Sequence, residues 1–308
     1  MIRTVLGDIK PQDLGVTYMH EHLIIDSPIV KNEFEHIYLN STEDAITELG
    51  ICKDAGVSAM VDCMPTGSGR DIEKLAEISN RTGIHIIAVT GLHTSKYYDK
   101  FDPLELSDVE GLAKLFIKEL TEGCEGTLHK AGIIKVATSA AHPSKRELRL
   151  FEAAAIAHKA TGAPILTHCE HGKGALEQID ILRKFKVNLS SVVMSHTDKE
   201  FDFGYHREIL SSGVNVEYDQ SLRQIDVVDA SSALLTAEML EQGFGNQMML
   251  GTDGARRSLW TSLGGTPGLA ALFKKWSESL SSVGVTKEQL ELLFVNNPAR
   301  VLSLKGGL

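Results

Sequence analysis

The sequence lacks any close pair of cysteines. Cys52, Cys63, Cys124 and Cys169 stand far apart, with no CxxC motif. That pattern argues against both a zinc–thiolate module and a disulfide framework, and reads as four reduced thiols. No apolar run reaches the ~20 residues needed to cross a bilayer. The opening stretch Met1-Ile2-Arg3-Thr4-Val5-Leu6-Gly7-Asp8 has no apolar secretory core. A cytoplasmic protein without membrane contact is therefore expected. Positive charge is also scarce, with 31 Lys and Arg against 41 Asp and Glu and a formal net charge of -10. Without a basic run, nucleic acid is an unpromising partner, and an anionic substrate must be met by a few local cations. The glycine-rich GxGxxG turn is missing too. Gly67-Ser68-Gly69 follows an apolar run but does not complete the pattern, which weakens a doubly wound dinucleotide fold.

What is present is a globular composition, 43% hydrophobic and 23% charged, over 308 residues. Short Val-, Ile- and Met-rich runs alternate with stretches of helical period. The predicted strands are 16–25, 58–64, 85–90, 132–138, 164–169, 192–196, 214–218 and 248–252. Predicted helices cover 42–55, 71–82, 107–122, 145–161, 174–185 and 287–294, and several stop before a glycine. Asn296-Asn297-Pro298-Ala299-Arg300 can start one more turn. Eight apolar strands interleaved with helices predict a (β/α)8 TIM barrel, as one domain spanning residues 1–308.

In such a barrel, chemistry sits at the C-terminal ends of the strands. The first strand ends in His20-Glu21-His22, an HxH pair whose imidazoles share a face. The fifth and sixth end in His168 and His196, and the eighth runs out into Asp253. Neutral imidazole is the commonest ligand for zinc-like ions. The fourth strand carries Lys135 amid Ile133, Ile134, Val136 and Ala137. A lysine there can snorkel, form an ion pair, or lose its proton and take up carbon dioxide as a carbamate. Beside the other ligands the carbamate is favoured, because its two oxygens can bridge two cations. Asp253 can cap a helix, or bind metal and take a proton from a bridging hydroxide. The set His20, His22, Lys135, His168, His196 and Asp253 predicts a centre of two divalent ions that generates hydroxide near neutral pH. Zinc suits these ligands, with manganese, cobalt and iron as alternatives.

The stretches Gly15–Leu23, Glu125–Thr127, Lys130–Thr138, Pro164–His168, Gly174–Gln178 and Asn296–Arg300 resemble the amidohydrolase superfamily, and more narrowly its phosphotriesterase-related family, along essentially the whole chain. The resemblance implies that His20, His22 and Asp253 hold the more buried ion, and His168 and His196 the more exposed one. Lys135, as N6-carboxylysine, would bridge them. Some relatives carry glutamate at that position. Asp253 would be the catalytic proton acceptor, and a homodimer is the implied assembly.

Members of that family hydrolyse lactones, phosphotriesters and other esters. Acyl-homoserine lactonases resemble this chain but carry a tyrosine after the third strand, where His93 stands here. Gly251–Arg257, Ser258-Leu259-Trp260 and Gly268, with the Asp219/Arg223 pair, resemble members acting on phosphorylated sugar lactones. Arg256 and Arg257 follow Asp253 on the eighth loop, where barrels often bind phosphate. Arginine suits bidentate recognition of such a group. Arg223, Arg256 and Arg257 are candidate anion contacts, with His93 and Lys96 as further ones, though each can equally be a solvated or structurally paired charge. Tyr97 and Tyr98 line the pocket or simply cover it. The expected function is hydrolysis of a small polar lactone, a sugar lactone phosphate. A phosphotriesterase or general carboxylesterase is the alternative, and a non-catalytic binding protein a third reading.

Overall fold

The computed structural model describes residues 1–305. A short antiparallel hairpin, β1 (Ile2–Thr4) and β2 (Gly7–Ile9), comes first. Sequence periodicity does not predict it, since three-residue strands are too short to show alternation. Eight parallel strands follow: β3 (Thr17–Glu21), β4 (Ala59–Asp62), β5 (His85–Gly91), β6 (Ile133–Thr138), β7 (Ile165–Cys169), β8 (Val192–Ser195), β9 (Asn215–Tyr218) and β10 (Met248–Leu250). Neighbours in sequence are neighbours in the sheet, from β3 to β10. The amides of Thr252 and Asp253 both donate to the His20 carbonyl, at 3.1 and 2.9 Å, and so bring β10 against β3. The predicted (β/α)8 barrel is the observed fold.

The strands read as unbroken apolar runs because both faces are covered. Met19, Val61, Val89, Ile133, Leu166, Val193 and Met249 fill the barrel, with Ile2, Leu14, Val301 and Leu302 packed in the same cluster. The alternate positions, such as Tyr18, Met60, Ile134, Val192 and Met194, pack in a second and larger core with the helices.

The helices at 42–54, 72–82, 109–121, 145–161 and 175–184 lie where periodicity places them, within two residues at each end. The helix Lys145–Thr161 shows why. Ser144 and Glu147 form a reciprocal capping box, Gly162 ends the helix in the left-handed region, and Leu150 and Phe151 are buried. Two further helices, Phe203–Ser211 and Ser231–Glu241, occupy segments not predicted as helical. The second begins without a side-chain cap, so its start carries no local signal. The predicted final helix instead runs from Lys287 to Glu291, passes through a wide turn, and continues as Asn297–Leu302. No helix among the described residues is long and apolar enough to cross a membrane.

Candidate metal centre

The C-terminal ends of the strands gather four imidazoles, a lysine and an aspartate in one buried cluster. The ring centroids of His20 and His22 lie 5.5 Å apart, those of His20 and His196 4.6 Å, and those of His168 and His196 4.4 Å. His22 Nε2 stands 3.5 Å from Asp253 Oδ1. Ligand atoms of His20, His22 and Asp253 fall within 4.8 Å of one another, and so do those of His20, His196 and Asp219. Lys135 is fully buried on β6, and its Nζ lies 3.3 Å from His20 Nε2. No carboxylate pairs with it among the described residues.

Carboxylates lie behind three of the rings, and two of them hydrogen-bond a ring nitrogen. His20 Nδ1 donates to Glu217 Oε2 (3.2 Å), His168 Nε2 to Glu170 Oε2 (2.8 Å), and His196 Nδ1 lies 2.5 Å from Asp219 Oδ2. Each leaves its other ring nitrogen available as a ligand, the usual arrangement behind metal-binding histidines. Among the described residues His22 has no such carboxylate, and its buried Nδ1, like that of His196, makes no hydrogen bond. Gly251 makes room for the His20–Glu217 pair. A Cβ there would sit 2.6 Å from Glu217 Oε1 and 2.8 Å from His20 Cβ.

Strand alternation alone does not deliver His196. Val193 faces the barrel interior and Met194 the helices. Period two would therefore put His196 on the outer face. Instead β8 stops at Ser195, and His196 adopts a left-handed backbone, φ +67°. Asp253 is left-handed as well, φ +46°. Non-glycine residues in that region carry strain that the surroundings must hold, as is common at functional sites.

The electrostatics suit ligation. Burial first, then Lys135 and the other histidines, push His20 well below the usual histidine range. Burial, then Lys199 and His168, do the same to His196. Both shifts favour the neutral ring, the form that binds metal. Burial would raise the Asp253 carboxyl, but His196, His22, Arg223 and Lys199 outweigh it and hold it well below the ordinary aspartate range. Burial and then the neighbouring Asp219 and Asp198 carboxylates drive Glu217 well upward. The donor set fits divalent cations, because imidazole nitrogens meet here with the Asp253 carboxylate, and the Asp219 carboxylate reaches the same cluster.

Above the cluster opens a cavity of about 510 Å³. Its walls include His93, Lys96, Arg223 and Arg256, four of the five predicted anion contacts. Arg257 is not among them. It begins a short turn and donates to the Tyr38 carbonyl at 2.8 Å, so it clasps two loops together. Arg223 is tethered as well. It donates to the carbonyls of Asp219, Thr252 and Asp253 at 2.8–3.2 Å, and Nη2 reaches Asp253 Oδ2 at 3.2 Å. Sequence reasoning missed Lys199, whose Nζ enters the cavity 3.8 Å from Asp253 Oδ2. Its place three residues after His196 was the available signal. Tyr97 lines the cavity, and Tyr98 instead supports its floor, donating to the Thr66 carbonyl. Phe34, His36 and Ile37 close the cavity from the segment after β3, which carries no periodic or motif signal.

Residues 1–302 match the phosphotriesterase family. A phospho-furanose lactonase of Mycoplasmopsis synoviae is 33% identical over 322 residues, covering 98% of this chain and 91% of that one. Among solved structures, a lactonase from Listeria monocytogenes superposes with a TM-score of 0.93 at 28% identity, over 99% of each chain. The phosphotriesterase homology protein of Escherichia coli, solved with phosphate in its active site, gives 0.88 at 27% identity, over 94% of this chain and 99% of that one. With its barrel, its histidine–aspartate cluster and this match along nearly its whole length, the chain belongs to the phosphotriesterase family of metal-dependent hydrolases.

Proposed function

We propose that this chain hydrolyses a small, polar, anionic lactone, specifically a phosphorylated sugar lactone. One observation carries the reading. In a chain of net charge -10, the cavity wall gathers Lys96, Lys199, Arg223 and Arg256. Arg256 has no side-chain hydrogen bond or ion pair among the described residues. Converging cations with spare donors attract an anion and orient it. The phospho-furanose lactonase relative and the phosphate-bound Escherichia coli homologue support the same substrate class.

His20, His22 and Asp253 would hold one divalent ion and His168 and His196 the other, with Lys135, as its carbamate, an anionic ligand for them. When bound, such ions, most simply zinc, supply hydroxide near neutral pH and polarise the lactone carbonyl. Asp253 takes the proton released from the attacking oxygen. The new carbon–oxygen bond forms at the carbonyl carbon, and the bond to the ring oxygen breaks. Asp253 then returns its proton to the departing ring alkoxide, and a hydroxy acid leaves. The cations around Asp253 keep it an acceptor. Glu217 and Glu170 hold two of the imidazoles in their ligating orientation, and Asp219 accepts from the backbone amide of His196. Lys199 and Arg256 hold the phosphate.

Kinetics on aldonolactones with and without a 5-phosphate test the substrate. Arg256→Ala should raise KM for phosphorylated members by about tenfold to a hundredfold, the worth of a charge-assisted hydrogen bond. Unphosphorylated members should change little. Equal turnover of both series, or faster turnover of neutral organophosphates than of any lactone, overturns the reading.

Glu217→Met tests the support behind His20. Metal affinity should fall about ten- to a hundredfold by equilibrium dialysis. Thermal stability should hold, because the change removes a buried carboxylate whose ionised form is costly. Unchanged metal affinity would remove Glu217 from the centre.

A further inference from the structure

We infer that His93 is a catalytic hydrogen-bond donor to the substrate's carbonyl oxygen, rather than a cation for its phosphate. The inference rests on hydrolysis at a carbonyl, as proposed above. The imidazole is buried at the cavity wall, with its ring centroid 4.8 Å from that of His168. Nδ1 accepts the Thr94 amide hydrogen at 2.7 Å and lies 3.1 Å from the Thr94 hydroxyl. A ring nitrogen that accepts an N–H carries no hydrogen of its own. The ring is therefore neutral, with its one hydrogen on Nε2. Among the described residues Nε2 has no protein partner.

The donor is held rigidly. The His93 amide donates to the Tyr98 hydroxyl at 2.9 Å, and that hydroxyl in turn donates to the Thr66 carbonyl at 3.0 Å. The Tyr97 ring meets the imidazole edge-on at 4.6 Å and 80°. Backbone, ring edge and tautomer are thus all fixed before substrate arrives. Preorganised donors of this kind act on charge that develops in the transition state. A neutral N–H adds little to a phosphate site already supplied with Lys199 and Arg256. Beside His168, its natural acceptor is the carbonyl oxygen as it gains negative charge.

The test compares wild type with His93→Phe, His93→Gln and His93→Asn, in protein loaded with zinc. The probes are the neutral lactone dihydrocoumarin and a 5-phosphorylated aldonolactone. His93→Phe should lose about a hundredfold in kcat on both probes, with KM and zinc content within about twofold. Glutamine places an amide N–H near the Nε2 position, and asparagine cannot reach it. His93→Gln should therefore exceed His93→Asn in kcat by about tenfold, a comparison that stands even where the phenylalanine variant binds zinc poorly. A loss confined to the phosphorylated probe, a rise in KM at unchanged kcat, or equal rates for the Gln and Asn variants overturns the inference. Should wild type ignore phosphorylated lactones while the variants still lose kcat on dihydrocoumarin, the substrate assignment fails and the role of His93 stands.

Discussion

Lys135→Ala should strip most of the metal from the protein and lower kcat/KM by on the order of a thousandfold, because it would remove the anionic ligand proposed for both ions. The side chain is wholly inside the barrel, and among the described residues its amine meets an imidazole nitrogen but no carboxylate. An ammonium group there is an uncompensated charge, which costs several kcal/mol to bury. The proposed carbamate would remove that problem, since it is anionic and could be neutralised by bound cations. Alanine leaves a gap that a small carboxylate can fill. Added acetate or propionate should therefore restore part of both the metal content and the rate. Elemental analysis and kinetics on the same samples decide the matter. Full metal and full rate in Lys135→Ala would refute the binuclear centre.

Asp253→Asn should lower kcat by about a hundredfold to ten-thousandfold, the usual worth of a positioned proton acceptor. Asparagine is the informative replacement. The backbone at 253 is left-handed, φ +46°, and asparagine tolerates that region better than most residues. Its shape also preserves the approach to His22 Nε2 and Arg223 Nη2. What it lacks is negative charge. Lys199 and Arg223 would then face each other across a neutral amide, so substrate phosphate should bind no more weakly than in wild type. A low kcat with KM unchanged or lowered is the expected signature. Metal content, measured alongside, separates loss of the acceptor from loss of a ligand. If Asp253→Asn keeps its metal and stays within tenfold of wild-type kcat, the proton goes elsewhere.

The barrel was legible because local rules and the fold agree, and its six central residues because each interrupts or ends an apolar run, although strand alternation alone would turn His196 outward. Eight apolar runs alternate with helices, and a parallel sheet covered on both faces needs runs of that kind. Polar residues that interrupt or end such runs stand out, so His20, His22, Lys135, His168, His196 and Asp253 could be found one strand at a time. Their proximity follows from closure of the ring. The anion contacts were less legible. Arg223, Arg256 and Arg257 look alike in sequence, yet one is tethered to three carbonyls, one has no side-chain partner among the described residues, and one clasps Tyr38. Loop backbone decides where an arginine points, and loop backbone leaves little periodic trace.

The sequence by itself determined the fold class, the strand ends and the residue types that meet there, because hydrophobic period and glycine stops act over a few neighbouring residues. Only the tertiary structure decided the rest. It set Glu217 behind His20 across 197 positions of sequence, brought Lys199 to Asp253, and turned His196 inward against strand alternation. Those relations join side chains from different strands and loops. Their physical cause is closure of the barrel, which packs distant segments into one ring and fixes their relative orientation.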